Sequence, residues 1–213
     1  HIRNKAKELK HGDGADIDNL ALMPLLTRKV ENILVFINTS VAFPKQANCN
    51  NISTEILVDD VISLFRQTDK LKNNVVFDNE SGKKLKDFCQ GLLKNKKIGD
   101  PLIYCDTYRI IDNYRQAVTG GEYQPSICWA YLDRTDNWIK KIKTEEQGPT
   151  RSLINKKRDF IHFPHYQTIN ERKGKLINLN KNQVHTSSNL TAWSILNKKE
   201  YISEKMGKLP IKK

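Results

Sequence analysis

The stretch LALMPLLTRKVENILVFI, residues 20–37, decides the fold class. Its last five residues, Ile33 to Ile37, are aliphatic or aromatic without a single charge, which is typical of a fully buried central strand. The first part carries leucines and a methionine at helical spacing, and Pro24 fits only in the first turn of such a helix. Arg28 and Lys29 suit its carboxyl end because cations stabilise that end of the helix dipole. The stretch therefore predicts a short helix that leads into a buried strand.

The rest of the chain continues this alternation of helices and strands. Apolar spacing predicts a helix opened by Asp59 and Asp60, a strand at Val75–Phe77, an amphipathic helix at Lys83–Leu93, strands at Leu102–Tyr108 and Ser126–Leu132 separated by the turn Gly120–Gly121, and a last helix at Gln183–Leu196. After Asp133 the pattern loosens into polar, lysine-rich connections. We therefore predict an α/β fold with buried strands.

Length and charge limit the classes of protein to which the chain can belong. Its 213 residues and 24.6 kDa suit one domain or a large part of a bigger one. No run approaches the roughly 18 apolar residues of a membrane span, so we do not expect an integral membrane protein. The net charge of +12 is one-sided, because residues 139–213 hold 17 Lys and Arg against 6 Asp and Glu, a net of +11. Such an excess favours an anionic partner, either a lipid surface, nucleic acid or an acidic protein.

The four cysteines and the paired histidines indicate no metal site. Cys49, Cys89, Cys105 and Cys128 lie far apart and form no C-x-x-C pair, which removes zinc-site spacing. Cys105 and Cys128 lie within apolar runs and are interpreted as small buried hydrophobic residues in a reducing, intracellular compartment. The stretch His162-Phe163-Pro164-His165 is interpreted as core or surface histidines, because its spacing is poor for a zinc ion.

One short segment carries candidate chemistry. Asp13-Gly14-Ala15 stands just ahead of the predicted helix and strand, where α/β enzymes place active-site residues. Gly14 allows close backbone approach to a ligand, and Asn19 can cap the helix or pin the loop through its amide. By spacing alone the segment is an ordinary turn, because Asp-Gly is a common turn dipeptide.

The run DGADIDNLALMPLLTRKVENILVFINTS, residues 13–40, resembles the aspartate motif of the patatin and cytosolic phospholipase A2/lysophospholipase superfamily. In that family a DGG- or DSG-like turn, an Asn six residues after the Asp, a short PLL-R helix and a strand follow in this order. The features here fall on Asp13, Gly14, Asn19, Pro24-Leu25-Leu26 with Arg28, and Asn38. The resemblance implies that the chain is the C-terminal portion of a three-layer α/β/α acyl hydrolase domain.

The resemblance also implies a serine–aspartate dyad that cleaves carboxylic esters of glycerophospholipids. A serine hydroxyl attacks the ester carbonyl, and Asp13 accepts the hydroxyl proton directly. Burial beside apolar walls would raise the pKa of an aspartate and bring it nearer the range of a working base. Gly14, Ala15 and Asn19 would support the motif, although Ala15 stands where the family more commonly has Gly. No substrate-binding residue is identified.

The nucleophile of such a dyad is not in this sequence. No G-x-S-x-G elbow occurs in the 213 residues, and the first residue is His1 rather than Met. We therefore expect residues 1–197 to be the C-terminal part of a lipid acyl hydrolase domain whose serine lies on preceding polypeptide, with residues 198–213 as a solvated basic tail. On this interpretation the 213-residue chain is inactive by itself.

Two other classes stay open at this point. The chain could be a family member that has lost activity, or a basic module that binds lipid or nucleic acid. Nucleic acid is disfavoured because no zinc finger or RRM-like aromatic motif occurs. The acidic cluster Asp13, Asp16 and Asp18 suggests a calcium loop but lacks its ligand positions, so no cofactor is predicted. The predicted partners are a phospholipid or lysophospholipid substrate and an anionic membrane surface, with the protein peripherally bound in the cytoplasm.

Overall fold

The computed structural model describes residues 18–69, 73–142, 149–156, 160–166 and 179–207. In chain order the elements are α1 (Met23–Thr27), β1 (Asn32–Ile37), α2 (Asp59–Ile62), a 3-10 turn (Glu80–Gly82), α3 (Lys83–Ile98), β2 (Leu102–Thr107), a second 3-10 turn (Tyr114–Gln116), β3 (Ser126–Tyr131), α4 (Asp136–Ile142), α5 (Pro149–Ile154), α6 (Lys181–Asn197) and α7 (Lys199–Lys205). The described chain is thus a mixed α/β domain, and the predicted class is confirmed at that level.

The three strands form one mixed sheet in the order β1-β3-β2. β1 runs parallel to β3, with Asn32 opposite Ser126, and β2 runs antiparallel to β3, with Leu102 opposite Tyr131. The strand predictions at Ile33–Ile37, Leu102–Tyr108 and Ser126–Leu132 are confirmed to within one residue at each end. Mainly apolar runs located them correctly because each strand packs one face against the main core.

β1 is an edge of this sheet and is not a fully buried central strand as expected. Its burial alternates, with Ile33, Val35 and Ile37 buried while Phe36 is 52% exposed. Successive side chains of a strand point to opposite faces, so Phe36 lies on the face opposite to that of Ile33, Val35 and Ile37. The apolar run indicated burial on both faces, but the second face of β1 is only partly covered.

The first face of the sheet carries the main core. Trp129 on β3 is fully buried there and donates a hydrogen bond from Nε1 to the Tyr108 hydroxyl at 3.0 Å. Phe77 and Phe88 pack edge-on against the indole. Phe88 belongs to α3, which buries Leu85, Phe88, Cys89 and Leu92 as its predicted amphipathic pattern requires and continues five residues beyond the predicted end at Leu93.

The second face is covered by the two C-terminal helices. Ile202 and Met206 pack there with Ile103 and Ala130, and the Tyr201 hydroxyl accepts the amide hydrogen of Cys105 at 3.1 Å. Helices therefore lie on both faces of the sheet. The expectation of a solvated tail from residue 198 is wrong for residues 198–207, because α7 buries an apolar side chain; residues 208–213 lie outside the described part.

Two other local predictions need correction. Val75–Phe77 forms no strand and makes only an isolated antiparallel bridge between Phe77 and Ile110. The region after Asp133 is not only polar connection, because α4 and α5 occur there and Trp138 is almost fully buried. Trp138 stacks on Phe163 at 5.7 Å in a small cluster with Leu190 of α6. The sequence pattern did not predict this third core, because single apolar residues stand among lysines there.

All four cysteines are joined in disulfides, Cys49–Cys89 and Cys105–Cys128. The second bond joins directly opposed residues of β2 and β3. Cys105 and Cys128 are buried, as expected, and they are joined to each other in a disulfide. Two disulfides are more typical of extracellular proteins. In the part of the chain that the structure describes, no helix is both long and apolar enough to cross a membrane.

Candidate functional site

The centre of the predicted motif, Asp13, Gly14 and Ala15, lies outside the described residues, as does Asp16. The described chain begins at Asp18, whose carboxylate accepts the amide hydrogens of Leu22 at 3.1 Å and Met23 at 2.8 Å. A carboxylate at the amino end of a helix satisfies amides that have no partner inside the helix. Asp18 therefore stabilises the start of α1, which is a structural role.

Asn19 is exposed and directs its side-chain amide toward α2. Its Nδ2 lies 3.5 Å from a carboxylate oxygen of Asp60. Burial raises the pKa of Asp60 above its usual value, although the hydrogen bond from Asn19 opposes that effect. Asn19 thus links the loop that follows the motif to a second segment of the chain.

A buried ionic cluster lies where the two parallel strands end. Asp133, two residues beyond β3, is almost completely buried. Its Oδ2 accepts hydrogen bonds from Lys96 Nζ at 2.6 Å and from the Phe43 amide at 3.2 Å, and its Oδ1 lies 3.3 Å from His165 Nε2. Burial alone would raise the pKa of Asp133, but the hydrogen bond from His165 and the charge of Lys96 outweigh it and lower that pKa.

The imidazole of His165 lies between the two segments that follow the parallel strands. Nδ1 lies 2.8 Å from the carbonyl oxygen of Thr39, two residues beyond β1, and Nε2 faces Asp133. A general base needs a free nitrogen within reach of the proton it abstracts. The cluster therefore acts as a clamp that joins the ends of the two parallel strands. His165 is buried within it, whereas His162 is exposed.

An uncharged cleft of about 250 Å³ opens at the same end of the sheet. Its floor is the second face of the sheet, with Phe36, Ile103 and Ala130, and its far wall is α6. Ser187, Ser188, Thr191 and Ser194 of α6 line that wall, and Asn38 and Leu132 lie at the strand ends. In α/β sheets, ligands bind outside the carboxyl ends of parallel strands, and this cleft occupies such a position.

The described residues carry less net positive charge per residue than the complete sequence does. A groove at the amino end of α3 has Arg66, Lys83 and Lys86 on its walls. Arg66 already donates to the Ile52 carbonyl at 2.5 Å, and Lys83 pairs with Asp87. Two of these three cations are therefore already partnered, and we assign no anion site to this groove. Among the described residues, no group of three or more His, Cys, Asp or Glu side chains is placed to hold a metal ion.

Comparison of the chain with protein-family models, with curated proteins and with solved structures finds no match.

Sequence reasoning missed the Asp133 cluster and the cleft. Asp133 directly follows the strand run Ser126–Leu132, and a carboxylate at a strand end is a usable signal. Lys96 and His165 carry no such signal, because only the fold brings them to Asp133. The cleft depends on which face of β1 stays uncovered, which the uniform apolar run does not reveal.

Proposed function

We propose that this chain is part of a lipid acyl hydrolase of the phospholipase A or lysophospholipase type, in which Asp13 is the base of a Ser–Asp dyad. The proposal also specifies the fold, in which the chain forms the C-terminal portion of a patatin-like three-layer α/β/α domain. No G-x-S-x-G sequence occurs in the 213 residues, so the nucleophile is taken to lie on polypeptide outside them. The alternative is a family member that has lost activity, and the experiment below distinguishes it from an active hydrolase.

The order of motif, helix and strand carries the proposal. In the sequence the Asp13 motif precedes α1, in which Pro24 occupies the first turn, and α1 leads into β1, which pairs in parallel with β3. Asp18, five residues after Asp13, accepts backbone amides at the start of α1. Helices on both faces of the sheet agree with the layered architecture that the resemblance implies. The observed elements thus support the resemblance without testing its chemistry.

The proposed reaction needs one proton acceptor and no metal. The serine oxygen attacks the ester carbonyl while Asp13 accepts the hydroxyl proton, and the protonated Asp13 then gives that proton to the lipid alcohol as it leaves and the acyl-enzyme forms. Water then attacks the acyl-enzyme and gives a proton to the same carboxylate, which passes it to the serine oxygen as the fatty acid is released. The carboxylate therefore ends each cycle in its starting state.

The proposed partner surface is an anionic membrane, on which each Lys or Arg contributes about 1 kcal/mol near the headgroups. Residues 139–213 carry the +11 excess that would provide this attraction. The cytoplasmic location stays a prediction from sequence, and the two disulfides weigh against it because they form in oxidising compartments.

The decisive experiment is Asp13→Asn in the protein as its gene encodes it, with any polypeptide that precedes His1. Hydrolysis of lysophosphatidylcholine and labelling by a fluorophosphonate probe, which reacts with activated serines, are measured together. We expect turnover to fall at least about 100-fold, the usual contribution of a general base, and labelling to fall with it. Mapping the labelled peptide of the unmodified protein identifies the serine.

Asp16→Asn is the matched control, because it makes the same chemical change three residues further along the sequence. It should leave turnover and labelling close to those of the unmodified protein. Undiminished turnover in Asp13→Asn, with the circular dichroism spectrum unchanged, would refute the assignment of the base. Absence of turnover and labelling in the unmodified protein would support the inactive family member instead.

A further inference from the structure

The cleft between the sheet and α6 has an apolar floor. Its floor consists of Phe36, Ile103 and Ala130, and Ile195 of α6 closes one side. The 52% exposure of Phe36 arises on this face, where the ring has only partial cover. Burying such surface is favourable by about 25 cal/mol per Å², so the floor gains free energy from an apolar occupant.

The hydroxyl groups on the opposite wall do not demand a polar ligand. Thr191 Oγ1 donates to the Ser187 carbonyl at 2.9 Å, and Ser194 Oγ donates to the Leu190 carbonyl at 2.7 Å. Both donors therefore have acceptors within α6. Because these side chains are small, they leave space between α6 and the sheet. None of the residues described as lining the cleft carries a charge, so no group there would recognise an ionised headgroup.

We propose that this cleft binds a single alkyl chain, with the polar end of the ligand held outside at the carboxyl edge of the parallel strands. A volume of about 250 Å³ accommodates roughly eight groups of the size of a water molecule, which suits a medium-length chain. Free fatty acids and lysophospholipids both carry such a chain. The inference depends on the cleft alone and does not require Asp13 to be a base.

The test is calorimetric titration with fatty acids of six, eight, ten and twelve carbons, each below its micelle-forming concentration. Each added methylene that enters the cleft should tighten binding about fourfold, until the cleft is full and the affinity levels off. Lysophosphatidylcholines with acyl chains of the same four lengths, each below its micelle-forming concentration, are the second arm. Equal dependence on chain length in both arms supports a site that recognises the chain alone.

Ser188→Trp places a large ring on the wall at an exposed position of α6, where it should not disturb folding. Ala192→Trp is the matched control, because Ala192 is also exposed on α6 but does not line the cleft. We expect the first variant to weaken decanoate binding at least about tenfold and the second to leave it unchanged. Ala130→Leu fills the floor and provides a second blocking variant from the sheet side.

Three results would overturn the inference: no binding of any chain, an affinity independent of chain length, or equal binding by Ser188→Trp and Ala192→Trp. Binding of the lysophospholipid without the fatty acid would also overturn it, because the headgroup would then be the recognised part. Asp13→Asn should bind decanoate as the unmodified protein does. Failure of the proposed hydrolase and failure of this cleft are therefore separate results.

Discussion

The two faces of the sheet are held by different means. On the first face, Trp129 is surrounded by Phe88 at 5.6 Å, Tyr108 at 6.0 Å and Phe77 at 6.1 Å between ring centroids, in edge-on contacts that add to the burial of apolar area. On the second face, a disulfide joins β2 to β3 and a few side chains of α7 cover part of the surface. The same three strands therefore carry a dense core and a thin one.

This difference indicates where a ligand can be accommodated. The first face buries large rings in contact with one another, and a packed interior of this kind has few voids of useful size. The second face uses small residues such as Ala130 and Cys128, so α6 stands over it with a cleft between them. Cross-linking by Cys105–Cys128 stabilises the strands there, by about 3 kcal/mol for a loop of this length, without filling the space.

The largest effect should come from removing the centre of the first face. Trp129→Ala leaves a cavity and deprives the Tyr108 hydroxyl of its donor, so we expect a loss of about 4 kcal/mol in the free energy of unfolding. Urea denaturation followed by circular dichroism measures it. Phe36→Ala, an aromatic change on the opposite face, should cost about 0.5 kcal/mol or less. Equal losses would contradict the contrast between the faces.

The next effect tests whether polar contacts also hold the first face. Asp133→Asn leaves Lys96 of α3 buried beside a neutral amide, so we expect a loss of about 3 kcal/mol at pH 7. The pKa of Asp133 is lowered in the folded chain, so its carboxylate stabilises the fold above the unfolded pKa of about 3.9 and loses that effect as the pH falls through the folded value. The difference between variant and unmodified protein should therefore shrink at pH 3.

Asp136→Asn provides the control for that pH dependence. Asp136 pairs with Lys45 at 3.1 Å, but both side chains are more than half exposed, and exposed pairs contribute little. We expect the urea midpoint of this variant to follow that of the unmodified protein at both pH values. A loss for Asp133→Asn that is equally large at pH 3 would show that the effect comes from packing rather than from the charge.

The two faces also differ in how much of them the sequence predicts. The strands and α3 were found from local patterns, because a run such as residues 126–132 or an amphipathic spacing records burial in neighbouring letters. The disulfides were not, because four cysteines allow three pairings and the choice depends on the register between β2 and β3. The register is set by packing across the whole sheet and leaves no local mark.

The candidate site divides in the same way. A motif that is contiguous in the sequence predicts Asp13 as the site residue, with Gly14, Ala15 and Asn19 in support. The clamp at Asp133 draws on α3 and on the segment with His165, which meet only after folding. Its members are ordinary surface residue types in the sequence, and burial among partners is what distinguishes them.

The smallest effect concerns the helices that cover the second face. Lys198, expected to begin a solvated tail, donates to Asp100 at 2.7 Å and ties the junction of α6 and α7 to the turn before β2. Burial opposes ionisation of Asp100, but the hydrogen bonds from Lys198 and Asn137 lower its pKa, and both partners of the pair are only partly exposed. We expect Lys198→Gln to cost about 1 kcal/mol in urea denaturation, while Lys199→Gln, at the adjacent exposed position, costs nothing measurable. If the two variants were equally stable, α7 would be held by Ile202 and Met206 alone, and the second face would depend on apolar packing as the first does.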